Sequence, residues 1–157
     1  MKDRIVALDI DDCILSSNTN YFGFTDDNIK MLEVNLIRLR MIVDKYDMKV
    51  FITSSWYAIL NLHEDNKVSL KYPTKKDEKI KIVELLNEHL GGYFIGLSCG
   101  NRETDIIELS KNNKVVILDD WDLSHLDCEN VLFCKTRGFI DGNIGFKIKN
   151  FFEDEII

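Results

Sequence analysis

The chain is poor in proline (one), in histidine (three) and in CxxC pairs, of which it has none. Each scarcity excludes something. With so little proline, connections between elements have to be punctuated by Gly, Asn and Asp. Cys13, Cys99, Cys128 and Cys134 have no histidine at metal-finger spacing, so a zinc site is not expected; they read as reduced, mostly buried thiols of a cytoplasmic protein. No apolar run approaches the ~18 residues of a membrane span. Asp9 interrupts the one N-terminal stretch that could serve as a leader, so neither a membrane partner nor a signal segment is expected. Positive charge is also short: 20 Lys and Arg against 27 Asp and Glu leave −7, with a pI near 5.0. That balance argues against generic nucleic-acid binding, which needs a broad basic face, and leaves room only for a local basic groove. Internal repeats and low-complexity tracts are absent, and 157 residues suffice for one good core, so residues 1–157 are read as a single domain.

What the chain does have is a series of short apolar runs that end abruptly in polar chemistry. Arg4 to Leu8 is an aliphatic run too short for a helix, followed by Asp9-Ile10-Asp11-Asp12-Cys13. It reads as a buried parallel strand delivering Asp9 and Asp11 to its C-terminal edge, where open α/β sheets bind ligands. Ile14 to Phe24 lacks a sustained period and is expected to be an irregular loop or flap over the acids. Thr25 then caps a long helix with Asp26 and Asp27 in its first turn. Ile29, Leu32, Leu36, Leu39 and Val43 form its core-facing stripe, and Arg38, Arg40 and Lys45 its solvated side. Met48 to Ile52 is a second strand. It ends in Thr53-Ser54-Ser55-Trp56, three hydroxyls at the start of what looks like a helical turn, a donor set suited to phosphate; Trp56 reads as a packing residue.

Residues 57–76 read as a long exposed connection with a short strand or hairpin around Val68 to Tyr72. Lys67, Lys71, Lys75 and Lys76 form a solvated run there, with a polyanion as the less favoured alternative. A helix is predicted from Asp77 to Leu90, with Thr74 near its start, His89 in its last turn and Gly91-Gly92 ending it. Tyr93 to Ser98 is a third strand. The loop from Cys99 then enters a short helix with Arg102 in its first turn, where a cation opposes the helix dipole and needs an anionic partner: Asp105, Glu108 or a bound ligand. Lys114 to Leu118 repeats the opening pattern and ends in Asp119-Asp120. Two strands presenting acids at one edge require a cation or a proton between them, and an all-oxygen donor set favours Mg²⁺ over zinc. Val131 to Cys134 is a short edge strand. Asp141-Gly142-Asn143 turns into a last helix with Ile144, Ile148, Phe151 and Phe152 inward. The alternation of elements implies a mostly parallel sheet covered on both faces.

The ordered set of Asp9-Ile10-Asp11, Thr53 with Ser54, Arg102 and Asp119-Asp120 resembles the four motifs of the haloacid-dehalogenase superfamily. The finer pattern of Asp-x-Asp, Ser-Ser-Trp, Arg-x-x-acid-Ile and Ile-Leu-Asp-Asp is similar to a small capless branch whose relatives include domains of RNA-repair proteins. The resemblance implies an α/β, Rossmann-like three-layer sandwich with a five-stranded sheet in the order 5-4-1-2-3 and no full cap domain. It also implies a Mg²⁺-dependent phosphatase working through an aspartyl-phosphate. In that scheme Asp9 is the nucleophile and Asp11 the general acid and base. Thr53, Ser54 and Arg102 bind the phosphoryl oxygens. Asp9, Asp11 through its backbone carbonyl, Asp119 and Asp120 hold the metal. The substrate expected is a phosphomonoester: a small molecule such as a nucleotide, a nucleic-acid end or a phosphoprotein. The chain departs from the family at Asp12-Cys13, where Gly-Thr or Gly-Val is usual, and in having Arg102 for the commoner lysine and Asp105 for glutamate. The first departure supports an alternative, a binding or regulatory module that keeps the metal site without turnover. A Ca²⁺ loop and a signalling receiver domain both fit poorly.

Overall fold

The computed structural model describes residues 2–16, 25–72 and 77–153. Strand β1 (Asp3–Leu8) is followed by helix α1 (Asp26–Tyr46), β2 (Met48–Ile52), a hairpin of β3 (Leu60–Leu62) and β4 (Val68–Leu70), and helix α2 (Asp77–Leu90). Then come β5 (Phe94–Leu97), α3 (Arg102–Ser110), β6 (Asn113–Asp119), β7 (Val131–Lys135) and α4 (Gly142–Glu153). Five strands form one sheet in the order β5-β2-β1-β6-β7, every pairing parallel. The most apolar runs, β1 and β6, lie inside it, as burial on both faces demands.

Alternation along the strands sorts side chains into two layers. Val6 and Leu8 of β1, with Val116 and Leu118 of β6, face a large core built with α1, α2 and α4. Ala7, Val115 and Ile117 face a smaller one with Ile106 of α3, Leu123 and Val131. Among the described residues three α-helices therefore cover one face, and the short α3 with the turn at Ser124–Leu126 the other.

Parallel register fixes the working edge. Leu8 pairs with Ile52 on one side and Leu118 on the other, so the next residues, Asp9, Thr53 and Asp119, emerge level with one another. Backbone bonds continue past the strands: Asp9 N–H donates to the Leu118 carbonyl at 3.0 Å, Thr53 N–H to Leu8 at 2.9 Å, and Ser98 N–H to Ile52 at 2.8 Å.

Helix α1 starts where expected. Thr25 and Asn28 form a reciprocal cap, and Leu32, Leu36, Leu39 and Val43 are buried. Among them sits a polar residue that the apolar stripe passes over, Asn35, which is fully buried. Its amide donates to the carbonyls of Ile14 (2.8 Å) and Gly138 (2.9 Å) and accepts from Ile140 N–H at 2.9 Å. One side chain thus ties α1 to the loop after β1 and to the connection between β7 and α4.

Several expectations are corrected. The hairpin read around Val68 to Tyr72 is present, but the connection leading to it is not a long exposed loop from residue 57: Ser55–Ala58 forms a 3-10 turn and Leu60 pairs with Leu70, and the hairpin is tied to α2 by two bonds between Val68 and Asn87. Arg38 and Arg40 do not simply face solvent. Arg38 donates to the Ile140 carbonyl and lies over the Phe139 ring, and Arg40 pairs with Asp44 and donates to the His89 carbonyl. Long side chains do this because their aliphatic stems cover apolar surface while the head reaches a carbonyl. All four cysteines are free, but only Cys13 and Cys134 are buried; Cys99 and Cys128 are exposed, because they fall in turns beyond the sheet. Phe151 is only half-buried beside the buried Phe152. Residues 17–24 of the expected flap, and Pro73, Thr74, Lys75 and Lys76, lie outside the described residues.

Replacing Asn35 by alanine strands two carbonyls and one N–H in the interior, each costing about 1–3 kcal/mol. Urea denaturation of Asn35→Ala is expected to show a loss of at least roughly 3 kcal/mol. A loss within about 0.5 kcal/mol, the range of an ordinary surface change, would contradict the bridging role.

Candidate active site

The loop after β1 is built around one carbonyl. The N–H groups of Cys13, Ile14 and Leu15 all donate to the Ile10 oxygen, at 3.3, 3.1 and 3.1 Å, and Ile10 itself is fully buried. This winding places Asp12 in the left-handed region, with φ +59°, a conformation that glycine adopts freely and Asp tolerates better than most side chains. The turn is anchored below by Cys13, whose sulfur accepts the Thr136 hydroxyl at 2.6 Å.

Above the register-matched strand ends lies a compact group of carboxylates. Oxygens of Asp9, Asp119 and Asp120 all fall within 4.8 Å of one another. Asp9 is 4% exposed and Asp119 fully buried, so water does little to screen them. Arg102, on the first turn of α3, reaches across: its Nη1 is 2.6 Å from Asp119 Oδ2 and 3.7 Å from Asp9 Oδ2. The sequence offered Asp105 and Glu108 as its local partners; neither takes that part. Asp105 instead accepts from the Ser98 hydroxyl and the Cys99 N–H, and Glu108 pairs with Lys111. Trp121 completes the arrangement. Its backbone N–H donates to Asp119 Oδ1 at 3.0 Å and its ring lies 4.2 Å from the Arg102 guanidinium, a cation–π contact.

Asp11 stands apart from the three. Trp56, read from sequence as packing alone, is buried, but its indole N–H also reaches both Asp11 oxygens, at 3.1 and 3.0 Å. Ser54 accepts from the Trp56 N–H and caps the 3-10 turn, so this hydroxyl has a structural task. The Thr53 hydroxyl is buried and has no hydrogen-bond partner. It borders a depression of about 460 Å³, shared with Ser55, Tyr57, Arg102 and Trp121. Trp56 and Trp121 are the functional candidates that sequence reasoning passed over. The available signal was position: each directly follows a polar motif, Thr53-Ser54-Ser55 in one case and Asp119-Asp120 in the other.

Crowding moves the acids' proton affinities. Burial first, then a hydrogen bond with Asp120 and the charge of Asp119, push Asp9 up to about 8, against the opposing pull of Arg102. Asp119 is raised by burial too, with the Trp121 N–H and Arg102 working against the shift. Burial likewise raises Asp11, and the Trp56 indole opposes it. A site in which one acid holds a proton to relieve its neighbours is one that a hard divalent cation would suit. The donor set is all oxygen, and Asp120 Oδ1 is buried without a hydrogen-bond partner. The residues therefore fit such an ion. A second grouping, Glu33, Glu88 and His89 at the seam of α1 and α2, has exposed carboxylates and no strand edge to hold them. Comparison with protein-family models, with curated proteins and with solved structures gives no match.

The raised affinity of Asp9 has a definite sign for stability. Its folded-state value, about 8, lies above the ordinary 3.8, so the proton is held more tightly in the fold. The stabilisation is complete below about pH 4 and lost as pH rises through about 8. Without divalent cations, the urea midpoint should fall between pH 5 and 8 more steeply for the native chain than for Asp9→Asn, which has no proton to lose. Parallel pH profiles for the two proteins would contradict the assignment.

Proposed function

We propose that the chain is a Mg²⁺-dependent phosphomonoesterase of the haloacid-dehalogenase type. The observation that carries the reading is the common level of Asp9, Thr53 and Asp119 at one sheet edge, with Arg102 reaching over them from α3. The strand order supports it as well. Counted in chain order, the five sheet strands run 3-2-1-4-5, which from the other edge is the 5-4-1-2-3 that the resemblance implies. The left-handed Asp12 sits where relatives of that kind usually carry glycine, which accounts for the tolerance of the position and for its unusual residue.

In this reading Asp9, once ionised, attacks phosphorus. A bond forms between its carboxylate oxygen and phosphorus as the ester P–O bond breaks, and Asp11 delivers its proton to the departing alkoxide. Asp11, now a carboxylate, takes a proton from the water that attacks the acyl-phosphate, releasing inorganic phosphate and restoring Asp9. The raised affinity of Asp11 suits the first, acidic half of this cycle. Trp56 aims its carboxyl by holding both oxygens. Thr53 offers an unspent hydroxyl to a phosphoryl oxygen. Arg102, whose planar head carries five N–H donors, has further donors for the transferring group while Asp119 holds it in place. A Mg²⁺ ion among Asp9, Asp119, Asp120 and the Asp11 backbone carbonyl would supply the positive charge that lets a phosphate dianion approach these acids.

Hydrolysis of p-nitrophenyl phosphate tests the reading. Turnover is expected with Mg²⁺, to be lost on chelation, and to be undetectable in Asp9→Asn. Asp11→Asn should lower kcat by about 10²- to 10⁴-fold, as expected for loss of a general acid. Trp56→Phe keeps the apolar body and removes the N–H, so kcat should fall by roughly tenfold with KM little changed. A chain that turns over nothing yet binds beryllofluoride with Mg²⁺ has a competent site for a more demanding substrate. A chain that does neither is the non-catalytic module that Asp12-Cys13 would otherwise suggest.

A further inference from the structure

The connection that leaves β7 is more ordered than its position on the rim requires. From Lys135 to Ile140, exposed and buried residues alternate strictly. The three inward positions are each fastened. Thr136 donates its N–H to the Asp119 carbonyl and its hydroxyl to Cys13. The Gly138 carbonyl accepts from Asn35. Ile140 donates to Asn35 and accepts from Arg38. Gly138 has φ +77°, and a side chain there would collide with the Ser16 hydroxyl, so the turn is set by backbone geometry as well. The outward positions are Lys135, Arg137 and Phe139, of which the first two are cationic.

Their placement relates them to the acids. Lys135 is the register partner of Asp119 across β6 and β7. Together with Asp12, Ser16, Asp120 and Gly138, the two cations border a depression of about 340 Å³ that shares no lining residue with the one Thr53 and Arg102 line; β7 and β2 lie on opposite flanks of the β1–β6 pair. Among the described residues neither Lys135 nor Arg137 has a side-chain hydrogen bond or a close ion pair; the exposed Asp122 feels the Lys135 charge, a small contribution beside its bonds from Ser124. Asp141, the next acid along the chain, spends an oxygen on the first turn of α4, accepting from Ile144 N–H at 3.1 Å. A protein of net charge −7 thus holds two cations without a close ion pair on a fixed platform one strand away from its acids. A phosphoryl group over Asp9 and Thr53 would leave them unused.

We infer that Lys135 and Arg137 form a subsite for a second phosphate of the substrate, so that the site prefers a phosphomonoester carrying another phosphate to a simple one. This rests on the phosphomonoesterase reading and adds a substrate class to it. Two cations two residues apart can each give a charge-assisted hydrogen bond to one phosphate. The second phosphate has two chemical sources, the free group of a nucleoside bisphosphate or the internucleotide diester next to a phosphorylated end.

The test compares kcat/KM for a nucleoside 3′-monophosphate, the 3′,5′-bisphosphate and a dinucleotide ending in a 3′-phosphate. The bisphosphate or the dinucleotide should be preferred about 10- to 100-fold over the monophosphate. In Lys135→Ala/Arg137→Ala that preference should shrink at least tenfold, through KM, and Lys135→Arg/Arg137→Lys should restore much of it. The dinucleotide and the bisphosphate tell the two sources apart. Equal losses on all three substrates would mean that the cations only offset neighbouring carboxylates, and would overturn the inference, as would an unchanged preference. Calorimetry with Asp9→Asn and Mg²⁺ separates this from the chemistry. If the native chain hydrolyses nothing but the bisphosphate still binds at least tenfold tighter than the monophosphate, in a manner lost with the two cations, the subsite stands and the phosphatase reading falls. Equal binding, or none, overturns the subsite.

Discussion

Repulsion among carboxylates that cannot reach water is the constraint around which this protein is built. Two unit charges about 4 Å apart at an effective dielectric constant near 20 repel by about 4 kcal/mol, and Asp9, Asp119 and Asp120 are held at about that spacing. The parallel register leaves them little room to separate, because the residues before Asp9 and Asp119 are locked opposite each other. The fold answers with countermeasures of three kinds. A proton stays on Asp9, the Arg102 guanidinium is laid across two of the acids, and the Trp121 backbone N–H donates to Asp119. Charge is concentrated at a cost to stability, and the acids' proton affinities shift with it.

The uneven layering follows from the same demand. Three helices pack on one face of the sheet and form the larger core. Among the described residues the other face is covered by α3, with Leu123 and Leu126 of the connection after β6 beside it, and α3 is the helix that brings Arg102. Its nine residues are few for a helix whose stability comes mainly from packing. Asn101 caps its start, and Arg102 fastens that start to the acids. On the opposite face, Asn35 holds two loops at once from within the core, one leading from Asp9 and the other carrying Lys135 and Arg137. Working loops on both flanks of the acids are therefore referred to a single helix.

Much of this was legible from local pattern. The aliphatic runs of β1, β2 and β6 are too short for helices and too apolar for loops, and the first polar residue after each marks the sheet edge. The cap of α1 at Thr25 was equally plain. What could not be read depends on partners far along the chain. Asn35 breaks the apolar stripe of α1, and its reason lies at Gly138 and Ile140, more than a hundred positions away. Trp56 meets Asp11 across 45 positions. Strand β4 falls within the hairpin read around Val68 to Tyr72, but its partner β3 is three residues long, fewer than an alternating pattern needs to be recognised. Arg102 was singled out correctly as a cation in want of an anion, but spacing along its own helix pointed to Asp105 and Glu108, whereas the sheet supplied Asp119.

Both tryptophans of the chain touch the charged centre, Trp56 through its N–H to Asp11 and Trp121 through its ring against Arg102. One is buried and the other is 59% exposed, so their emission should be resolvable by wavelength. Indole emission is sensitive to nearby charge and hydrogen bonding, and no tryptophan elsewhere dilutes the signal. The unlabelled protein therefore carries its own optical reporter: its ultraviolet fluorescence registers the state of the carboxylates on one side and of the guanidinium on the other.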